Sequence, residues 1–128
     1  MTEETIQNQI CQYVKVQYPN VLFNTDLSGI KLPMGLAVKV SKLRSSRAFP
    51  DLVFYEPRKI NGKMYYGLFI ELKKDGVKIF KRNGAVVANG HIKEQIKMIT
   101  KLSEKGYYAC FAIGFDECKN IIDMYFKS

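Results

Sequence analysis

Two short acidic pieces of the chain carry the chemistry that its residues suggest. Pro50-Asp51 opens one β-rich run, and Glu71-Leu72-Lys73 closes the next. The turn dipeptide Asn61-Gly62 lies between them, so the two runs read as arms of a hairpin whose open ends meet. Asp51 and Glu71 then become neighbours, and Glu71 and Lys73, two apart on a strand, share one face. Carboxylates at such close range repel unless a cation lies between them. Oxygen ligands completed by water suit Mg²⁺ or Mn²⁺. A cation held there polarises a phosphodiester and lowers the pKa of a bound water. Lys73 is placed to orient that water or to stabilise charge on the phosphate.

The register of the hairpin decides whether this arrangement exists. With a plain two-residue turn, Ile60 pairs with Lys63 and Asp51 falls opposite Leu72. Asp51 would then point away from Glu71, because residues opposite one another share a face. A shared cation therefore demands a one-residue offset, from an odd-length loop or a bulge. Pro57 is a site for one, since proline cannot donate to the ladder. The alternative is a solvated strand edge on which Glu71, Lys73 and Lys74 are ordinary surface charges. Against that alternative, Leu52-Val53-Phe54 and Leu68-Phe69-Ile70 mark both runs as core strands, where unpaired carboxylates are costly.

The elements around this pair follow from periodicity. Residues 5–17 read as a first helix, with Ile6, Ile10 and Val14 on one stripe, Tyr13 widening it, Thr2 or Thr5 as a cap and Pro19 beyond its end. Residues 21–24 form a short strand. Gly29, Pro33, Gly35 and several serines break every period across 25–48, which reads as an irregular excursion with a short strand or helix near 36–40. After the hairpin, a basic extension over 73–89 turns at Asn83-Gly84. Residues 92–105 form an amphipathic helix with Ile92, Ile96, Ile99 and Leu102 on one side, ended by Gly106. Residues 107–113 are a near-continuous apolar run, the pattern of a central strand. Residues 116–126 form the last helix, with Cys118, Ile122 and Tyr125 or Phe126 inward. The order gives an α/β sandwich with a mixed sheet, antiparallel at the hairpin and parallel across the helix crossover.

The 128 residues suit one domain, 1–128, and allow a core without disulfides or a structural metal. No apolar run spans a membrane, and the acidic, polar start does not read as a secretory signal. Cys11, Cys110 and Cys118 are odd in number and lack CxxC spacing, so they read as small apolar residues in a reducing, cytoplasmic setting. Lys and Arg number 20 against 12 Asp and Glu, a formal charge of +8, which favours a polyanionic partner.

Three pieces together, Phe49-Pro50-Asp51-Leu52, Phe69-Ile70-Glu71-Leu72-Lys73-Lys74 and His91-Ile92-Lys93-Glu94-Gln95, resemble the PD-(D/E)XK nucleases. More narrowly, they resemble the stand-alone VRR-NUC domains of phages and bacteria. The likeness spans nearly the whole chain and implies an αβββαβ nuclease core. By that resemblance Asp51 and Glu71 match the metal-binding acids and Lys73 the catalytic lysine. Gln95 matches the glutamine on the following helix, and Glu4 the acid on the first helix, where Glu3 and Gln9 compete with it. Ala48-Phe49 stands where the family often has a glycine before its Pro-Asp pair.

Gln95 also stands out on helical spacing alone, since it falls within the apolar stripe of its helix. A buried amide must find partners, either in a site at the strand end or as a satisfied core glutamine. His91, a turn earlier, is in reach of phosphate or serves as a cap or surface residue. Two basic stretches are placed to track a nucleic-acid backbone: Lys39, Lys42, Arg44 and Arg47, and Lys74, Lys78, Lys81 and Arg82. Lys93, Lys97, Lys101 and Lys105 read as a solvated helix face. The expectation is a Mg²⁺- or Mn²⁺-dependent DNA endonuclease, in a bacterial cell or phage-infected host. The resemblance implies cutting of branched DNA such as Holliday junctions. Two symmetry-related cuts in such a junction imply a homodimer. A sequence-specific or nicking nuclease of the same fold, and a non-catalytic nucleic-acid-binding module, are the alternatives.

Overall fold

The computed structural model describes residues 1–26, 32–46, 48–87 and 89–127. Arg47 and Gly29 lie outside the described residues. Four helices and six strands follow one another as α1 (Glu3–Gln17), β1 (Phe23–Thr25), α2 (Met34–Lys42), β2 (Leu52–Phe54), β3 (Arg58–Ile60), β4 (Lys63–Tyr65), β5 (Leu68–Lys73), α3 (Gly90–Glu104), β6 (Tyr108–Ile113) and α4 (Gly114–Phe126). The main sheet has the order β1-β2-β5-β6, and β3 and β4 form a separate ribbon. β1, β2 and β5 are antiparallel, while β6 runs parallel to β5 after the α3 crossover. This is a mixed α/β sheet flanked by helices.

Alternation along the strands builds the two layers. Leu52, Phe54, Leu68, Ile70, Leu72 and Ala112 are fully buried and form one core with Ile6, Ile10 and Val14 of α1 and Cys118, Ile122 and Tyr125 of α4. The intervening side chains, among them Phe69, Glu71 and Lys73, lie on the opposite face, where Gln95 of α3 meets Glu71. Thr2 caps α1 by accepting from the Thr5 amide, one of the two caps the sequence allows. α1 and α4 are joined at Asp123, whose Oδ1 accepts from the hydroxyls of Tyr13 (2.5 Å) and Tyr18 (2.6 Å) while Oδ2 meets Lys119 at 2.8 Å. Burial opposes ionisation of Asp123, but these donors outweigh it and hold its pKa near 2. A depressed carboxylate stabilises the fold above its ordinary pKa and loses that contribution as pH falls through the folded value. Asp123→Ala is expected to lower the urea-unfolding free energy by about 2 kcal/mol at pH 7, and by little at pH 2.

One reading of the sequence is resolved and one changes. Of the short strand or helix expected near 36–40 in the excursion over 25–48, the helix forms: α2 runs nine residues, none of them buried. Its apolar side chains stand in solvent, so no tertiary stripe marks it in the sequence. The apolar run at β6 is not a central strand: among the described residues β6 is the edge of the sheet, paired with β5 alone. Its composition comes from helices on both faces and not from a strand on each side.

Candidate active site

The hairpin is interrupted, and the interruption sets the register. Around the Asn61-Gly62 turn, where both residues take positive φ, Ile60 pairs with Lys63 and Arg58 with Tyr65. Pairing resumes at Phe54 and Leu68 and continues to Leu52 opposite Ile70. Between the two ladders, Tyr55, Glu56 and Pro57 on one arm face only Tyr66 and Gly67 on the other. The extra residue shifts the register by one, so Asp51 comes opposite Glu71 and not Leu72.

The polar groups released by this offset find partners. The Tyr55 amide continues the β1–β2 ladder by donating to Leu22 O, and the Tyr66 amide donates to Gly106 O. The Tyr125 hydroxyl donates to Glu56 O at 2.7 Å, and the Arg58 guanidinium to Pro57 O and the Glu56 carboxylate. Pro57 has no amide to satisfy. Gly67 permits the close approach, because a Cβ there would lie 2.8 Å from Phe54 O. The offset is therefore a built feature, supported by these hydrogen bonds.

At the open end the two acids interlock. The Asp51 amide donates to Glu71 Oε2 at 3.2 Å, and Asp51 Oδ2 accepts from the Leu72 amide at 2.9 Å. Glu71 is only 4% exposed, Lys73 8% and Gln95 5%, a concentration of polar groups in a layer otherwise filled by apolar side chains. Burial pushes the Glu71 carboxyl well above the usual range, and contact with Asp51 pushes it further, against the pull of Lys73. Gln95 Nε2 donates to Glu71 Oε1, while its Oε1 is buried without a hydrogen-bond partner among the described residues. His91, itself exposed, lies one turn earlier on the same face of α3, with its Nε2 3.2 Å from Gln95 Nε2. Asn89, and not His91, caps α3, its side chain accepting from the His91 and Ile92 amides.

The donor set fits a hard divalent cation. Two carboxylates on neighbouring strands offer oxygen alone, and a buried carboxyl with a raised pKa lacks the counter-charge that such an ion brings. The unpartnered Gln95 oxygen is an acceptor for water in the same site. Among the described residues no cluster of three or more His, Cys, Asp or Glu side chains forms a fuller cage. A site on this pair is therefore an open one, with water in the remaining positions.

The other residues singled out in the sequence are more scattered. Glu4 is exposed on the first turn of α1 and makes no hydrogen bond or ion pair among the described residues. Arg44 is held in an ion pair with Asp26 at 3.0 Å, and the Asp26 amide donates to Asp51 O at 2.8 Å. Arg44 is thus a strut behind the main chain of Asp51. Asp26 itself escaped the sequence reading, since nothing in its spacing links it to residue 51. Lys39 and Lys42 are exposed on α2. Lys74, Lys78, Lys81 and Arg82 are exposed on the extension after β5. That extension folds back on itself, with Phe80 bridged to Val86 and Gly84 in positive φ at its tip.

A solved structure described as a VRR_NUC domain protein superposes on this fold with a TM-score of 0.65 and 26% identity. The match covers 99% of this chain and 89% of that one. No family model matches the chain, and no curated protein matches it. The likeness to that structure supports a VRR-NUC-like domain and suggests a nuclease. No helix among the described residues is long and apolar enough to cross a membrane.

Proposed function

We propose that the chain is a DNA endonuclease of the PD-(D/E)XK type that depends on Mg²⁺ or Mn²⁺ held by Asp51 and Glu71. The observation that carries this reading is the one-residue offset that sets the Asp51 carboxylate beside that of Glu71, with buried Lys73 on the same face. The ion supplies neutralisation of phosphodiester charge and a water of lowered pKa. The chain's own residues do the rest. Leu72 N–H fixes the Asp51 carboxylate, and the Gln95 amide fixes that of Glu71. Lys73, with no ion pair of its own among the described residues, keeps its ammonium for the attacking water or the phosphate. Glu4 completes the site only if DNA or metal draws the first turn of α1 toward it.

DNA is the partner, and branched DNA such as a Holliday junction the preferred form, cut by a homodimer. Lys74, Lys78, Lys81 and Arg82, with Lys42, would meet phosphates, while His91 stands at the rim near Gln95. Each phosphate contact contributes about 0.9 to the salt slope on duplex DNA. Lys81→Ala with Arg82→Ala is expected to flatten that slope by about 2 and leave the rate at saturating DNA nearly unchanged. Arg44→Ala is expected to lower that rate and leave the slope nearly unchanged, because Arg44 acts through Asp26.

Cleavage of a four-way junction beside a linear duplex of equal length tests the function, in Mn²⁺ with and without chelator. Symmetric cuts near the branch, abolished by chelator, are expected. Cutting of both substrates alike would favour a nicking or sequence-specific enzyme. Binding without cutting in any metal would leave a binding module.

A further inference from the structure

Helix α2 leaves an ordered set of side chains in solvent. Val40 and Ser41, with Arg44 just beyond the helix, are half-buried and mark the side that meets the rest of the chain. At 100° per residue, Gly35, Lys39 and Lys42 fall on the opposite side. Met34 and Val38 lie along one flank of that line, and Leu36 and Leu43 along the other. Met34, which begins α2, is 84% exposed, and Leu43, which follows it, is 85% exposed. Leu36 and Val38 are also open to solvent. Apolar side chains gathered in this way on a surface mark a contact with a partner.

The order of these side chains selects the partner. A helix lying on a membrane puts apolar residues in the middle of the contact and lysines at its margins. The centre of a protein–protein contact is likewise depleted of lysine. α2 has the reverse arrangement, with cations along the middle and apolar side chains on both margins. Between Asp26 and Asp51 the sequence has five Lys or Arg and no Asp or Glu. That charge suits a phosphate backbone, and Met and Leu are among the side chains that enter between base steps. α2 is also fixed relative to the acid pair. Arg44, next to Leu43, lies 3.0 Å from the Asp26 carboxylate, and the Asp26 amide lies 2.8 Å from Asp51 O. The basic extension leaves β5 after Lys73, at the same end of the sheet. Two basic elements therefore converge on the end that carries Asp51 and Glu71.

We propose that α2 reads the branch point of the DNA, with Lys39 and Lys42 on phosphates and Met34 and Leu43 against bases at the branch. Inserting a side chain into a duplex costs an unstacked step. A branch offers bases that stack on one side only, where that cost is lower. α2 then discriminates by the shape of the substrate and not by its sequence. This role rests on the nuclease reading for DNA as the partner, and it assigns the preference for branched DNA to α2 and not to the cleavage site.

The fluorescent base 2-aminopurine, whose emission rises when it unstacks, tests this in chelator, where no cutting intervenes. With the base at the branch of a four-way junction, saturation with the unmodified chain is expected to raise the emission several-fold. With the base in the middle of an arm, the emission is expected to stay the same. Met34→Ser with Leu43→Ser is expected to abolish the rise at the branch and to weaken junction binding about 10-fold relative to duplex binding. The salt slope is expected to stay the same, because no phosphate contact is lost. Both side chains stand in solvent, so serine should leave the fold intact, and circular dichroism checks this. If the variant does not fold, the emission with the unmodified chain decides. Junction binding by the unmodified chain with no rise at the branch would overturn the proposal. So would a folded double variant that keeps the rise, or one that binds junction and duplex equally more weakly. Loss of self-association in the variant, with its DNA binding unchanged, would make α2 a protein contact and overturn it too. A variant that cuts junctions in Mn²⁺ with the preference of the unmodified chain would remove this role of α2 and leave the nuclease reading standing. A rise at the branch without cutting in any metal would remove the nuclease reading and leave the role of α2 standing.

Discussion

Asp51→Asn is expected to reduce Mn²⁺-dependent DNA cleavage by about a thousandfold or more and to leave the fold intact. The asparagine oxygen can still accept from the Leu72 amide, as Asp51 Oδ2 does. What disappears is a charge that no neighbour can replace. An open site with only two protein carboxylates has little affinity left once one is neutral. Lys73→Ala is expected to cost about a hundred- to a thousandfold in cleavage rate with Mn²⁺ affinity kept, because its ammonium acts on the reacting groups and not on the ion. Single-turnover cleavage and calorimetric Mn²⁺ titration of the two variants separate these roles. Equal loss of metal binding in both would contradict the division.

Glu71→Gln is expected to act in opposite directions on stability and activity. Burial first, and contact with Asp51 second, hold the Glu71 carboxyl well above its ordinary pKa of 4.5. The unfolded chain ionises this group from about that pH upward, while the metal-free folded chain keeps the proton. The contribution to stability is therefore complete below the unfolded pKa and lost as pH rises toward the folded one. At neutral pH, folding has to take up a proton, a penalty that glutamine avoids. The variant is expected to be about 2 kcal/mol more stable than the unmodified metal-free chain at pH 7.5 and nearly equal to it at pH 4. Its cleavage activity is expected to vanish. The same linkage makes a bound ion release a proton, so Mn²⁺ affinity should rise with pH. Saturation at 100 times Kd should stabilise the unmodified chain by about 2.7 kcal/mol and the variant by little. Urea denaturation at both pH values, with and without Mn²⁺, measures all of this. A variant less stable than its parent at pH 7.5 would contradict the assigned protonation.

Much of this arrangement is legible in the sequence because short-range rules apply to it. Asn61-Gly62 fixes a two-residue turn, and counting back from it shows that Asp51 needs one extra residue to face Glu71. Tyr55, Glu56 and Pro57 against Tyr66 and Gly67 supply that residue where Pro57 already pointed. The sequence could not show how the excess is absorbed, because its partners, Leu22, Gly106 and Tyr125, are distant in the chain. Gln95 was legible as a polar residue in an apolar stripe, and its contact with Glu71 gives that anomaly a physical cause. Asp26 was not, since a strut that works through a main-chain amide leaves no pattern of residue types. β6 misled for an instructive reason: periodicity reports how thoroughly the faces of a strand are covered and is silent on its edges. α2 was obscured in the opposite way, as a helix that buries nothing and therefore carries no stripe.

The central claim is that the carboxylates of Asp51 and Glu71 share one divalent ion. Anomalous scattering at the manganese edge, from crystals grown in Mn²⁺, measures this directly. A peak about 2.1 Å from an oxygen of each carboxylate is the expected result. A peak touching only one of them, or density elsewhere on the chain with none between the two, would contradict it.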